Sequence, residues 1–437
     1  MPSPRVDLAE WTKLIPESEI RRLLRYKVKY YFAGGKPGVI PTGAFPMILM
    51  RLALRELEDV FSGKETEVIE DYNYGPTDGL PDVRRTLANL LRERDSINLD
   101  KEEGWKEVVV TTGSQQMIYL ALDVLLNPGD IVIVPAPVYL GFVNVVTKLY
   151  GNTIAVPGDE DGIIPEYVED SIRKAERELG RKPKLIYVVP DSDNPSGTTL
   201  PESRRRKLLE IAKENGVYLL EDAAYREIQF RGERLKPIRA FDGDGSTVIY
   251  MRTTSKEVSV LRVGYNLMPA EIREEVVKAK GYHDLCTPTI TQKMAKLYYE
   301  LYFNQFIEKV REGYKRRYEA MAKAIDESFP DGKRTDPTGG FFIWWESSDK
   351  DFDSKKFLEE VAIPNDVLYV PGEAFYPLKG YIYDPADAKL LDVTKKIRKN
   401  GMRLGYSYND PSTIDEGIRR LGSLLSNRVS WSPFPVF

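Results

Sequence analysis

The sequence predicts an α/β fold: a large domain whose mostly parallel sheet is sandwiched by helices, and a smaller α+β domain at the C-terminus. Three observations carry this expectation. From about residue 105, short apolar runs alternate with longer amphipathic ones, the pattern of strand–helix units around a parallel sheet. The chain has 437 residues, more than a single core usually supports, so two packed domains are expected. Beyond about residue 305 the alternation gives way to one long amphipathic stretch followed by mixed short elements.

The elements follow in order. "WKEVVVTTG" reads as a buried strand and "SQQMIYLALDVLLN" as the helix after it. "DIVIVPAP" and "KLIYVVPD" are strands, and "PESRRRKLLEIAKENG" is a helix stopped by its glycine. "VYLLED" and "STVIYMRTTS" are again strands. "FIEKVREGYKRRYEAMAKAIDESF" predicts one long helix, and "GGFFIWWE", "KKFLEEVA", "VLYVPGEAF", "MRLGYSY" and "TIDEGIRRLGSLL" an α+β unit after it. The expected organisation is an N-terminal arm over 1–50 belonging partly to the small domain, a large domain over 51–305, and a small domain over 306–437.

Composition excludes several chemistries. The 63 basic and 67 acidic residues leave a net charge of −4, which argues against a nucleic-acid partner. No apolar run approaches a membrane span. The N-terminus places acids and prolines where a secretion signal needs an apolar core, so a cytoplasmic location is expected. Cys286 is the only cysteine and His283 the only histidine. No metal site of the Cys/His kind and no Ser-His-Asp machinery is expected. His283 reads as a structural or surface residue. Chemistry must then run on Lys, Asp, Glu, Tyr or a cofactor.

In a parallel sheet the ligand site gathers beyond the carboxyl ends of the strands. Polar residues stand at those positions here: Thr111 to Gln115, Tyr139, Asn194, Asp222 with Tyr225, and Thr253, Ser255 and Lys256. Each has a plain structural reading. Ser114 could be a helix N-cap, Asn194 and Gly197 turn punctuation, Asp222 a turn residue, Tyr139 core, and Lys256 a solvated edge residue. Together they describe something narrower. A phosphate turn at a helix start, a flat tyrosine, an asparagine, a strand-end acid and a lysine make a pocket for a phosphorylated, protonated pyridine bearing an aldehyde, which is pyridoxal 5'-phosphate.

The chain also resembles the fold type I, class I/II aminotransferases that depend on pyridoxal phosphate (PLP), in the branch containing 2-aminoadipate and aromatic aminotransferases. "FAGGKP", "YNYGPTDGLPDVR", "TTGSQQ", "PVY" at 137–139, "DNPSG", "EDAAY", "TTSK", "PTGGFFIW", "VPGEAFYP" and "MRLGYSYNDPSTIDEGIRRL" carry the likeness in order. The resemblance implies roles at matching positions. Lys256 is similar to the lysine that condenses with the cofactor aldehyde, Asp222 to the acid facing the pyridinium nitrogen, and Asn194 and Tyr225 to donors toward the phenolic oxygen. Tyr139 looks like the ring-stacking aromatic. Ser114, Gln115, Thr253, Ser255 and Arg262 resemble the phosphate cup. Tyr74 is similar to a tyrosine reaching the neighbouring subunit's phosphate, which implies a homodimer with shared sites. Arg403 matches the arginine clamping the substrate α-carboxylate, and Gly35 the glycine beside it. One departure stands out: only six positions separate Lys256 from Arg262, with no Pro-Gly between. Arg252 is therefore a possible substitute for Arg262. Glu257 is also unusual after the lysine. Facing the pocket it would raise the Lys256 pKa, so it is expected to point away.

The expected activity is transfer of an amino group from an α-amino acid to a 2-oxo acid such as 2-oxoglutarate. Aromatic donors rank first and 2-aminoadipate second. A PLP-dependent β-lyase acting on cysteine conjugates would use the same pocket and is the alternative. An aminotransferase-like transcriptional regulator is disfavoured because the likeness starts by residue 32. Arg21, Arg22 or Lys27, in the arm expected to cover the site, could meet a distal carboxylate.

Overall fold

The structure is a computed structural model that describes residues 7–34, 54, 58, 62 and 73–427. Its centre is a long sheet whose strands run, side by side, 389–392, 380–384, 152–159, 131–136, 185–188, 218–222, 248–253, 264–267 and 109–111, with 162–163 paired to 152–159. The six strands from 380–384 through 248–253 are parallel to one another. Gly264–Leu267 is antiparallel to both of its neighbours. Ile131–Val134, Leu185–Val188, Leu219–Asp222 and Val248–Thr253 are buried at every position rather than at alternate ones. Continuous burial is what a parallel sheet covered on both faces requires, and it explains why these segments read as unbroken apolar runs.

Helices connect the strands. Ser114–Leu125 follows the strand Val109–Thr111, and Leu140–Lys148 follows Ile131–Ala136. Glu202–Asn215 is stopped by Gly216 in the left-handed region, φ +57°, as its sequence predicts. The expected long helix spans Phe303–Ser328, continuing from a π-helical turn at Tyr298–Tyr302.

A second, antiparallel sheet orders the strands 332–334, 342–347, 401–405 and 370–371. The N-terminal segment joins this side. Tyr30–Tyr31 pairs in parallel with Val367–Leu368, and the Phe32 carbonyl accepts a hydrogen bond from the Gly405 amide at 2.8 Å. One feature departs from a simple division of the chain near residue 305. Tyr381–Ile382 pairs with Ile154–Ala155, so the hairpin 380–392, within the stretch expected to be the small domain, extends the large sheet instead. "GYIYD" is too short and isolated a strand signal to announce which sheet it will join.

The mid-sheet strand makes a direct test. Ile133 is fully buried between Ile154 and Ile186 on the flanking strands. Ile133→Ala should cost about 2–5 kcal/mol of stability, read from urea denaturation. A loss well below that range would mean the sheet centre is loosely packed.

Candidate active site

Adjacent parallel strands set the site. Asp222 ends one strand and pairs in register with Met251 of the next, which runs on to Thr253. The chain turns there through a short 3-10 helix, Thr254–Lys256, capped by the Thr253 hydroxyl, which accepts from the Ser255 amide at 3.1 Å. This turn projects Lys256 back over the sheet end, with Nζ 5.3 Å from the Tyr225 ring centre and 5.9 Å from that of Phe341. No hydrogen bond or ion pair holds the Lys256 amine among the described residues. Burial lowers its pKa from 10.5 to about 8, assisted by the positive charges of Arg262 and Arg403 and opposed by Asp222. Asp222 is buried as well, and burial raises its pKa to about 6. Its Oδ2 accepts from the Tyr187 hydroxyl at 3.1 Å, whereas Oδ1 has no partner. Burial also raises the Tyr225 pKa, so its hydroxyl remains a donor at neutral pH.

The opposite end of the chamber is built by Arg403, from the middle of the strand Gly401–Gly405. Its Nη1 donates to Asn194 Oδ1 at 2.8 Å and its Nη2 to the Ala33 carbonyl at 2.6 Å. The guanidinium lies 3.9 Å from the centre of the Phe342 ring and 4.8 Å from that of Phe375. Nε is buried with no partner. Burial lowers the Arg403 pKa to about 10, the mark of a cation short of an anion. Asn194 is held by its turn: Asp193 Oδ2 accepts from the Ser196 hydroxyl at 2.6 Å and from the Ser196 amide at 3.2 Å. A side chain at Gly197 would come within 2.7 Å of the Phe342 carbonyl, so this glycine lets the turn seat against the second sheet. Gly35 lies outside the described residues, although Ala33 shows that the same segment reaches Arg403.

A third group forms an anion cradle. Helix Ser114–Leu125 begins at Gly113, φ +73°, with its free N–H groups turned outward. Arg262 lies across that start: a side chain on Gly113 would stand 2.8 Å from Arg262 Nη2. Arg262 Nη1 donates to Ser255 Oγ at 2.5 Å, and Thr253 Oγ1 donates to the same oxygen at 2.9 Å. Ser255 thus accepts twice and keeps its own proton for an outside acceptor. The shortened loop is accommodated by a 3-10 turn, Ser259–Leu261, and a left-handed Arg262, φ +52°. Arg252 is not a substitute. It is fully buried in ion pairs with Asp95 and Glu227 (2.6 Å to Glu227). Glu257 does point away, as expected: its Oε2 accepts from Tyr298 at 3.0 Å, on the side of that same arginine cluster. Burial and the Glu227 charge raise its pKa to about 8.

Tyr139 sits between these groups. Its hydroxyl donates to Gln115 Oε1 at 2.9 Å, and Gln115 Nε2 donates to the Gly141 carbonyl at 3.2 Å. Burial raises the Tyr139 pKa to about 12, and the charges of Asp222, Arg403, Arg262 and Arg21 all reach it. Tyr74 is not brought to the chamber by this chain and stands 83% exposed. His283 is exposed at a helix end, its Nδ1 3.0 Å from Gln116 Nε2. Tyr187, Phe341, Phe342 and Phe375 are the wall residues that sequence reasoning did not single out. Tyr187 stacks on Phe142, ring centres 3.9 Å apart, and in "KLIYVVP" it is indistinguishable from strand core.

Among the described residues the chamber therefore holds the cations Lys256, Arg262 and Arg403 with the carboxylate of Asp222 and, from the turn beside Asn194, that of Asp193. A cofactor with a phosphate at one end, a cationic ring nitrogen opposite Asp222 Oδ1 and an aldehyde near Lys256 fits these unmatched groups. A second anion is left for Arg403.

Comparison with known proteins agrees with this chemistry. The sequence profile described as Aminotransferase class I and II matches residues 64–380. Aromatic-amino-acid aminotransferase 1 of Thermococcus litoralis is 35% identical over 94% of this chain and 92% of its own length. The 2-aminoadipate transaminase of Thermus thermophilus is 29% identical over 95% of this chain and 96% of its own. Among solved structures, the kynurenine aminotransferase of Pyrococcus horikoshii, in complex with PMP, superposes with a TM-score of 0.84 at 34% identity, covering 97% of both chains.

Two measurements check the site. Arg262→Ala should weaken PLP retention by about tenfold or more in equilibrium dialysis, while Arg252→Ala should instead destabilise the fold by about 3–5 kcal/mol. Equal cofactor loss in both, with no loss of stability in Arg252→Ala, would contradict this geometry. In cofactor-free protein, capture of added PLP requires the neutral Lys256 amine, so its rate should rise with pH and level off above about pH 8. A rate still climbing toward pH 10.5 would mean an ordinary, solvated lysine.

Proposed function

We propose that this chain, which belongs to the class I and II aminotransferases, takes its amino group from an aromatic α-amino acid and passes it to a dicarboxylic 2-oxo acid such as 2-oxoglutarate. It is a PLP-dependent transaminase. When bound, the cofactor supplies an electron sink that acidifies the Cα–H of the attached amino acid. The remaining work falls to this chain's residues. Asp222, with its Oδ1 unpartnered, would hold a cationic ring nitrogen and keep it protonated. Asn194, its carbonyl oxygen engaged by Arg403, has its amide donors left over and with the Tyr225 hydroxyl would hold the ring's phenolic oxygen. Arg403 clamps the substrate α-carboxylate, the anion its unpartnered Nε calls for. Lys256, with its pKa near 8, takes the proton from Cα as general base and returns it as general acid.

One observation carries the substrate reading. A cavity of about 520 Å³ is lined by Tyr26, Tyr31 and Tyr408 with Leu24, Val28 and Lys27. Tyr31 and Tyr408 meet edge to face, ring centres 5.3 Å apart, and the Tyr31 hydroxyl feels the Arg403 charge. An aromatic side chain whose carboxylate sits on Arg403 thus has an aromatic wall nearby. For a distal carboxylate, Arg21 is the favoured partner. Its charge reaches Tyr139, whereas Arg22 is already paired with Glu19 and Glu359 at 2.6 and 2.9 Å. The reading includes a homodimer with shared sites, in which the exposed Tyr74 (83%) and Val260 (66%) would be covered by the partner.

Mixing holoenzyme with single amino acids, without an oxo acid, should yield at most one 2-oxo acid per chain, fastest from phenylalanine or tyrosine. Continued turnover without an oxo acid would indicate a lyase, and faster conversion of 2-aminoadipate would overturn the ranking. Arg21→Ala should raise KM for 2-oxoglutarate about tenfold while sparing KM for phenylalanine. An unchanged KM for 2-oxoglutarate would remove Arg21 from the site.

A further inference from the structure

A second charged cavity, of about 610 Å³, shares no lining residue with the features assigned above to the active site. Five cations line it, Arg94, Arg231, Arg234, Arg311 and Lys315, against two acids, Glu308 and Glu312. Both acids are already engaged, and only Glu308 offsets a lining cation. Glu312 accepts from Arg316 at 2.8 Å, and Glu308 pairs with Arg311 at 2.6 Å while 70% exposed. Arg231 is engaged with Asp336 at 2.6 Å and with the Pro337 carbonyl at 3.0 Å, so it serves as a wall.

The floor deepens the imbalance. Two fully buried carboxylates, Asp95 and Glu227, hold five guanidinium groups between them. Glu227 accepts from Arg94 at 2.8 Å, Arg234 at 2.7 Å, Arg252 at 2.6 Å and Arg311 at 3.4 Å. Asp95 accepts from Arg226 at 2.7 Å, from Arg234 at 3.1 Å and from Arg252. Asp191 helps only Arg226, and shares itself with Arg205. Burial and the Glu227 charge push the pKa of Glu257, the nearby fourth acid, upward. Arg234 Nε is buried without a partner at the boundary between floor and cavity. Arg311 and Lys315 stand four residues apart on one helix face, each beside an exposed acid, Glu308 at 2.6 Å from Arg311 and Glu319 at 3.9 Å from Lys315, and solvent-exposed pairs of this kind are weak enough for a multiply charged anion to displace.

Cations in excess over buried carboxylates call for an external counter-ion. Planar guanidinium forks select one with several oxygens. We propose that this cavity binds a multiply charged, phosphate-bearing anion, with Arg94, Arg234, Arg311 and Lys315 as its donors. It joins the end of helix Pro81–Asp95, the loop after Tyr225 and the long helix Phe303–Ser328, so occupancy would stabilise the packing of these elements by linkage.

Calorimetric titration of the PLP-loaded enzyme tests this, with pyrophosphate and ATP in separate arms at fixed ionic strength. The loaded form keeps the cofactor's own phosphate site filled. The expected result is one saturable site per chain, weakened about tenfold or more by Lys315→Ala and by Arg234→Gln. Lys315 has a 43% exposed side chain and lies outside the buried cluster, so its variant decides the matter even if Arg234→Gln folds poorly. Equal binding of pyrophosphate and ATP would show that phosphate charge alone is read, and tighter ATP that a nucleoside adds to it. No saturable binding of either, or binding untouched by Lys315→Ala, overturns the proposal.

Discussion

The structure depends on keeping opposite charges out of water at the carboxyl edge of the sheet. Asp222 and Lys256 come from adjacent parallel strands, and burial drives both toward their neutral forms, the acid up to about 6 and the amine down to about 8. Neither would adopt such a state in solvent, and neither is neutralised by a direct ion pair with the other. An acid with one unpartnered oxygen and an amine without a hydrogen bond are costly features in a buried site. They are understandable as waiting groups. The same holds for Arg403, whose Nε has no partner. What these groups lack, a cationic ring nitrogen, an aldehyde and a carboxylate, is what an aminotransferase brings in.

Holding such a site open requires rigid support, and the arginine cluster around Asp95 and Glu227 supplies it. Arg226 and Glu227 directly follow Tyr225, and Arg252 directly precedes Thr253. The loops that carry Tyr225 and Lys256 are therefore tied from behind to the helix Pro81–Asp95. Breaking a buried pair of this kind costs more than its formation gains, because the abandoned charge stays buried. The cluster thus specifies where the loops sit more than it adds to stability. Tyr250 joins it, donating to Asp95 at 2.8 Å.

Much of this was legible in the sequence, for physical reasons that particular residues illustrate. Asp222, Asn194 and Lys256 follow apolar strands, and strand ends are where a parallel sheet gathers its ligand site. Arg262 was legible only in part. A loop six residues long left Arg252 as a rival, and the outcome depended on a left-handed residue and a 3-10 turn that no side-chain pattern announces. Tyr187 and Phe342 were hidden because a wall residue and a core residue look alike in a continuously buried strand. The Ala33 carbonyl could not be read at all, since every residue has one. Residues 380–392 fall within the expected C-terminal unit yet extend the large sheet, because sequence order is a poor guide to which sheet edge a late strand will find.

Capture of the cofactor by Lys256 is the step on which every other proposed role depends. Borohydride reduction of the PLP-loaded protein, followed by peptide mass mapping, tests this most directly. The reduced cofactor should be found on the peptide containing Lys256, in about one copy per chain, and be absent from Lys256→Ala treated alike. Its appearance on another lysine, or no labelling of a protein that retains PLP, would contradict the account.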